Sequence, residues 1–425
     1  KGERNLAITA PRGTNDILPS DSRLWQKMES VMREVCNIYG YSEIRTPVFE
    51  HTELFERGVG NTTDIVEKEM YTFVDRGDRS ITLRPEGTAA VVRSYIEHKM
   101  SGMAQPVKLF YIGPMFRYER PQAGRYRQFH QFGVEAFGSS NPMTDAEVIY
   151  MPLEIYKRLG ISDVTVNINS IGCPKCRPAY KELLRQSYSS VKDELCESCI
   201  KRYDRNPLRL LDCKVDKCRS LMPNPPTIFD MLCPECAEHF KQLRGHLDRL
   251  GVNYVINPRL VRGLDYYSRT TFEYTFGGIG SQDALGGGGR YDSLVEECGG
   301  PSTPAVGFAC GLERCVLALK SQGDVLADLD DGIDIFVAAV GDSCREKAFD
   351  IAFELRVKGF CAEFDVMERS LKANMKNADR LNAKFVGILG EDELSKGILL
   401  IRNLKTKEQH EVLMDDVVAF LANTK

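Results

Sequence analysis

No stretch of this 425-residue sequence holds about 18 consecutive apolar residues, so no membrane span is expected. The opening residues, KGERNLAITAPRG, carry charges but neither an apolar core nor a small-residue cleavage site, and no export signal is predicted. Residue 1 is not Met, which leaves room for a trimmed start. A general excess of positive charge is missing too. The net charge of −4 argues against a protein basic over its whole surface, while a local basic patch stays open. There is no Walker A motif, and the glycine run at 286–289 does not form G-x-G-x-x-G, which removes two familiar nucleotide-binding loops. Internal repeats and low-complexity tracts are absent as well.

What is present is long enough for two or three domains. With 43% hydrophobic and 27% charged residues, the composition is that of an ordinary soluble globular protein. The 14 cysteines are uneven: eight lie between Cys173 and Cys236. With no export signal, a reducing cytoplasmic compartment is expected, which favours metal binding or plain burial over disulfides.

Leu24, Met28, Val31, Val35 and Ile38 fall at helical spacing in residues 22–40, with Gly40 as a stop. A strand is predicted over YSEIRTPVFE, with Pro47 at an edge or end. Residues 81–95 read as a short strand, a turn and a helix opened by Pro85. VKLFYIGPMFRYER, the loop PQAGR and RYRQFHQFGVEAFG then form an antiparallel hairpin. PAVGFACGLERCVLAL is a strand passing into a helix. Beyond a polar stretch at 320–332, strands DIFVAAV, CAEFDV, KFVGILG and ILLIRNL alternate with helices as a small α/β domain.

The hairpin gathers Arg117, Arg120, Arg125 and Arg127, whose rigid donor forks suit phosphate oxygens. On its return strand Gln131, Gly133 and Glu135 share a face, and the bare glycine leaves a patch where a ligand could rest. A solvated, salt-bridged hairpin is the plain alternative. Glu86 follows Pro85 near a helix start, where an acid that offsets the helix dipole is the first reading. VRGLDYYSRT brings together Arg262, Asp265, Tyr266, Tyr267 and Arg269. GGGGRYD lets backbone approach a ligand closely before Arg290, Tyr291 and Asp292. In GFACGLERC, Gly307 and Gly311 keep the junction before Arg314 thin.

Together these stretches, with APRGTNDILP, LRPEGTA and EIRTPVFEHTELF, resemble the histidyl-tRNA synthetases, a class II aminoacyl-tRNA synthetase family, over nearly the whole chain. The hairpin is similar to class II motif 2, GFACGLERC to motif 3, and EIRTPVFEHTELF to motif 1, which in the family lies at the dimer interface. LVRGLDYY and GGGGRYD are similar to the histidine-specific signatures. The resemblance implies an α+β catalytic domain over residues 1–325, an antiparallel sheet flanked by helices in the class II synthetase fold. It also implies a cysteine-rich insertion at about 173–245, a linker at 326–332 and an α/β anticodon-binding domain over 333–425. ATP with Mg2+, L-histidine and tRNA(His) would be the partners, in a cytoplasmic homodimer with no membrane contact. By the same resemblance Arg117 would hold the ATP α-phosphate and Arg314 the γ-phosphate. Arg262 would bridge the amino-acid carboxylate and the α-phosphate. Glu86, Thr88 and Gln131 would take the α-amino group, Glu135 and Tyr267 the ring nitrogens, and Tyr291 would line the pocket. Arg125 or Arg127 would touch the pyrophosphate or the tRNA end.

The insertion pairs its cysteines as Cys173/Cys176, Cys196/Cys199, Cys213/Cys218 and Cys233/Cys236, enough for two structural Zn2+ sites of four thiolates. Its slight basic excess, 14 Lys+Arg against 10 Asp+Glu over 173–245, agrees with an expected clamp on the tRNA acceptor stem. The C-terminal domain is acidic, yet Arg369, Lys372, Lys376, Arg380 and Lys384 recur at helical spacing opposite Leu371, Met375, Ala378, Leu381 and Phe385. They could track tRNA phosphates or form a solvated face. Two rivals stand beside the synthetase reading. One is the synthetase-like regulatory subunit of ATP phosphoribosyltransferase, expected to lack an anticodon domain. The other is a zinc-dependent nucleic-acid-binding module.

Overall fold

Leu24, Met28, Val31 and Val35 are buried along the helix Pro19–Ile38, which ends where Gly40 takes a positive φ of 74°. Ile38, expected on the same face, lies at the helix end and is exposed. The computed structural model describes residues 8–60, 63–280, 283–323 and 332–424. The expected linker at 326–332 falls outside the described residues except for Gly332. Contacts divide the chain into two compact units, Lys1–Leu326 and Ala327–Lys425.

Among the described residues of the first unit, eight strands form one sheet. Their order is Ser42–Glu43, Val107–Phe116, Gln128–Phe137, Ala305–Gly311, Ala284–Arg290, Ser268–Thr275, Thr165–Ser170 and Tyr254–Ile256. Every central pairing is antiparallel, and only the two outermost pairs are parallel. The hairpin sets the register: Tyr111 faces Gly133, and Leu109 faces Glu135. The strand Ala305–Gly311 then places Gly307 beside Glu135. Helices Pro19–Ile38, Pro142–Leu159 and Leu312–Ser321 flank this sheet.

Two readings of the N-terminal half are corrected. YSEIRTPVFE is not one strand, because Pro47 cannot donate to a ladder. Ser42–Glu43 pairs with the large sheet, and Phe49–His51 joins a small sheet with Tyr71–Val74 and Ser80–Leu83. The next helix begins at Thr88 rather than at Pro85, with Gly87 before it.

Residues 173–245 are inserted between the strands Thr165–Ser170 and Tyr254–Ile256, which pair with each other in parallel. The insertion is helical, and its last helix, Pro234–Arg249, packs on Pro142–Leu159. His239 on that helix and the fully buried Arg290 both meet Asp145, so an ion-pair network ties the insertion's exit to the sheet.

The second unit carries a five-stranded sheet in the order Ala362–Phe364, Ile335–Ala339, Phe385–Leu389, Ile398–Asn403, Gln409–Leu413. The last strand escapes sequence reading because only Val412 of its five residues is buried. The expected basic stripe is shorter than the spacing suggests. The helix Leu371–Arg380 holds only Lys372, Lys376 and Arg380, while Arg369 precedes it and pairs with Asp365. Phe385 belongs to a strand, and Lys384 pairs with Asp334.

Candidate active site

Pairing Gly307 with Glu135 is the key step in building the pocket. A Cβ on Gly307 would lie 1.9 Å from Glu135 Oε2, so only glycine leaves room for this carboxylate inside the sheet. Glu135 is 1% exposed, and it accepts from Thr88 Oγ1 at 2.7 Å and from the Tyr291 hydroxyl. Burial pushes its pKa up to about 8 despite those two donors. Tyr291 is itself locked among Tyr266 and Phe137 at ring distances of 5.6 and 6.3 Å.

Glu86 acts as the cap of the helix Thr88–Glu97. Its carboxylate accepts the backbone N–H groups of Thr88 at 2.7 Å and Ala89 at 2.8 Å. Burial raises its pKa, and those donors offset the rise in part. Each oxygen still has a lone pair for a cation. Gln131 lines the same cavity, and its Oε1 is buried without a protein partner among the described residues.

The bare patch expected at Gly133 is filled. A Cβ there would lie 2.4 Å from the Tyr111 ring, which also covers Gly87. Tyr111 thus forms the pocket floor, and its hydroxyl oxygen is another buried atom without a hydrogen-bond partner among the described residues. Sequence reasoning missed this residue. The signal was present as an aromatic opposite a glycine, but only the exact hairpin register reveals it.

Three arginines face this end of the sheet. Arg117 Nε donates to Pro85 O at 2.8 Å, and the guanidinium lies 5.4 Å from the centre of the Phe129 ring. Arg314 donates to Gly124 O at 3.1 Å and Ala284 O at 2.6 Å, so the hairpin loop and the motif 3 helix hold each other. Burial, then the neighbouring Arg125 charge, lowers the Arg314 pKa. Arg262 pairs with Glu273 and lies against Gly287, where a Cβ would sit 2.8 Å from its Nη1. The glycine run is therefore a strand. It makes room for Arg262 and, at Gly289, for the Tyr267 ring, as well as exposing backbone to the cavity.

Glu86, Thr88, Arg117, Arg125, Gln131, Glu135, Arg262, Tyr267, Tyr291 and Arg314 all line one cavity of about 220 Å³. The two hairpin arginines Arg125 and Arg127 lie apart. Arg125 lines the cavity and pairs with Glu119, whereas Arg127 turns away to stack on Tyr118 at 3.9 Å. Arg290, read with the signature around it, is structural: its guanidinium is fully buried against Asp145. Beside the cavity, the π-helical turn Ile65–Glu69 brings Glu69 near Glu119. Burial, then the Glu119 charge, raises Glu69 to about 6. Glu69, Glu119 and Glu273 were not singled out from sequence, because their importance comes only from the arginines they face.

The eight insertion cysteines gather into two groups. Cys173, Cys176, Cys233 and Cys236 form one, and Cys196, Cys199, Cys213 and Cys218 the other, with all sulfurs in each group within 4.8 Å of one another. In the first group Cys173 Sγ lies 3.6 Å from Cys176 Sγ and 3.9 Å from Cys233 Sγ, and in the second Cys196 Sγ lies 3.9 Å from Cys213 Sγ. Tetrahedral Zn2+ with bonds of about 2.3 Å requires sulfurs about 3.8 Å apart. Backbone N–H groups of Cys233 and Cys196 each point at a sulfur of their own group, at 3.2 Å, as second-sphere donors to thiolates do.

Known proteins resemble the chain along its length. A family model described as histidyl-tRNA synthetase matches residues 13–315, and one described as anticodon binding domain matches residues 334–424. The histidine–tRNA ligase of Desulforamulus reducens is 55% identical over 98% of this chain and 99% of its own. That of Halothermothrix orenii is 53% identical over 97% of this chain and 98% of its own. The crystal structure of apo S. aureus histidyl-tRNA synthetase superposes with a TM-score of 0.83 at 42% identity, covering 98% of this chain and 100% of that one.

Proposed function

The chain belongs to the histidyl-tRNA synthetase family, and from that membership we propose how its pocket divides the work of joining histidine to tRNA(His). The reaction is that of a class II aminoacyl-tRNA synthetase, an ATP-dependent ligase. A carboxylate oxygen of histidine attacks the α-phosphorus of ATP, the bond to the β-phosphate oxygen breaks, and pyrophosphate leaves. A hydroxyl of the 3′-terminal adenosine of the tRNA then attacks the acyl carbon, and AMP departs.

Arg117 holds the α-phosphate and Arg314 the γ-phosphate. Arg262 spans the substrate carboxylate and the α-phosphate, where negative charge gathers as the two approach. Glu273 and the strand Ala284–Arg290 fix this guanidinium before substrate arrives, so little reorganisation is needed in the transition state. Arg125, at the cavity rim, addresses the pyrophosphate. Glu86, Gln131 and the Thr88 hydroxyl oxygen receive the α-ammonium, each having acceptor capacity left after its contacts. Glu135 and Tyr267 address the two ring nitrogens, one a donor and one an acceptor in neutral imidazole.

Mg2+ accompanies ATP and would offset phosphate charge, with Glu69 and Glu119 as oxygen donors of the kind it takes. Each four-cysteine group would hold one structural Zn2+, a reading supported by the sulfur spacing. The molecule works as a cytoplasmic homodimer. In support of a partner, the small sheet around motif 1 leaves Phe49, Phe73 and Val74 exposed. No described helix is long and apolar enough to cross a membrane.

The observation that carries the site assignment is the convergence of Arg117, Arg262 and Arg314 with the Glu135–Tyr291–Thr88 cluster in one cavity. Arg262→Ala tests it. Histidine-dependent exchange of pyrophosphate into ATP should fall at least about 100-fold, as for loss of one charge-stabilising donor, while tRNA binding stays within a few-fold. Normal exchange in that variant refutes the role.

A further inference from the structure

Tyr291 donates its hydroxyl hydrogen to Glu135, yet it lies just past the end of the strand Ala284–Arg290. The ladder is irregular there, with a register shift between Gly289 and Arg290. The Tyr291 backbone N–H donates to Ala305 O at 2.8 Å. Aromatic neighbours set the plane of its ring, but where its backbone sits depends on the residue before it. Successive side chains of an extended segment point to opposite faces. Tyr291 lines the cavity, and Arg290 runs back from it.

On that far side Arg290 is gripped at several points. Its Nε lies 3.1 and 3.2 Å from the two Asp145 oxygens, and Nη2 donates to the same carboxylate. Nη1 donates to Ser139 O at 2.8 Å and to Asp292 Oδ1 at 3.1 Å. Both side chains of the pair are fully enclosed. His239 Nε2, from the last insertion helix, stands 3.3 Å from Asp145 Oδ1 and 3.3 Å from Thr270 Oγ1. Burial works to raise the Asp145 pKa, but the Arg290 charge and then the His239 hydrogen bond outweigh it and hold it at about 2. The carboxylate is therefore ionised at neutral pH. A buried ion pair is often no more stabilising than apolar packing of equal volume. What it adds is direction, because a carboxylate that meets a planar fork at two points fixes the guanidinium in one orientation. None of Asp145, His239 and Arg290 lines the cavity. The shortest covalent route from them to the pocket runs from Arg290 to Tyr291, and so to Glu135.

We propose that Asp145 is a positioning residue for histidine recognition: by gripping Arg290 it holds the Tyr291 hydroxyl on Glu135, and His239 extends that grip to the insertion. The proposal rests on the assignment of Glu135 to the imidazole ring made above. With Tyr291 loosened, Glu135 keeps Thr88 as its donor, and the carboxylate meets the ring from a shifted position. ATP is held by arginines on other segments and is spared.

The test is a double-mutant cycle on the full-length protein, read as the KM for histidine and the KM for ATP in pyrophosphate exchange, with thermal melting alongside. Tyr291→Phe and Asp145→Asn should each raise the histidine KM about tenfold and leave the ATP KM within about twofold. Combined, they should raise it little more than either alone, because both remove the same hydroxyl contact. Arg290→Lys, which keeps a charge beside Asp145 but not the fork, runs the same cycle if Asp145→Asn unfolds. Independent effects that multiply to about 100-fold would overturn the proposal. Equal rises in both KM values with a lowered melting temperature, the mark of a purely structural role, would overturn it too. A histidine KM unmoved by Tyr291→Phe would strike the assignment of Glu135 and the proposal with it, so the two failures are distinguishable.

Discussion

Glu135, proposed above to read the imidazole ring, is a buried carboxylate that also carries a cost to stability. Its pKa of about 8 in the folded chain stands well above the ordinary value of about 4.3. Between those pH values the folded state keeps a proton that the unfolded chain has released. The stability tied to this group is therefore fully present below the unfolded pKa and is lost as pH rises through about 8. Melting temperatures of the wild type should decline from pH 5 to pH 8, and Glu135→Gln should make that decline shallower. An identical slope in the variant would remove Glu135 as its source. The same variant should raise the KM for histidine about tenfold or more, since both Glu135 oxygens accept from neighbours in the pocket, and the amide keeps one acceptor oxygen while its NH2 can only donate. Gly307 makes the complementary point. A methyl there meets Glu135 Oε2 at 1.9 Å and Val134 O at 2.6 Å, so Gly307→Ala should destabilise the fold by about 1–3 kcal/mol, read from chemical denaturation, and weaken histidine binding. A variant as stable and as tight as wild type would contradict the packing described.

At the scale of elements, the sequence is most readable where local rules decide. The apolar repeat of the helix Pro19–Ile38, the hairpin and the cysteine spacings are all local patterns, and each is found. Legibility ends where partners come from distant segments. Pro47 splits an expected strand between two sheets, and Tyr111 reaches Gly133 only through the hairpin register. Arg290 carries the same chemistry as Arg262 on paper, yet Asp145 buries it 145 residues away in sequence. Which cysteine pair closes on which is likewise a tertiary fact. Cys173/Cys176 meet Cys233/Cys236 across the insertion's two ends, while Cys196/Cys199 meet Cys213/Cys218 inside it. That nesting predicts separable losses. Cys199→Ser should lower zinc from two ions per chain to one by elemental analysis and reduce thermal stability, because binding energy of a structural zinc is folding energy. A zinc-free wild-type protein of normal stability would dispose of both metal sites.

Over the whole molecule, two units carry two different kinds of recognition. The first builds a cavity from six segments, at 86–88, 111–135, 262–267, Glu273, 284–291 and 307–314. The second matches an anticodon-binding domain over residues 334–424, the part a regulatory relative of the synthetases is expected to lack. A zinc-dependent nucleic-acid module would account for the insertion but not for the arginine cavity. The central claim is that this cavity joins histidine to an adenylate. It is tested most directly by ATP–pyrophosphate exchange with purified full-length protein, histidine being compared against the other amino acids one at a time. Exchange that depends on histidine, and on no other amino acid to a comparable degree, is the predicted result; no exchange from folded protein, or exchange driven better by another amino acid, would contradict it.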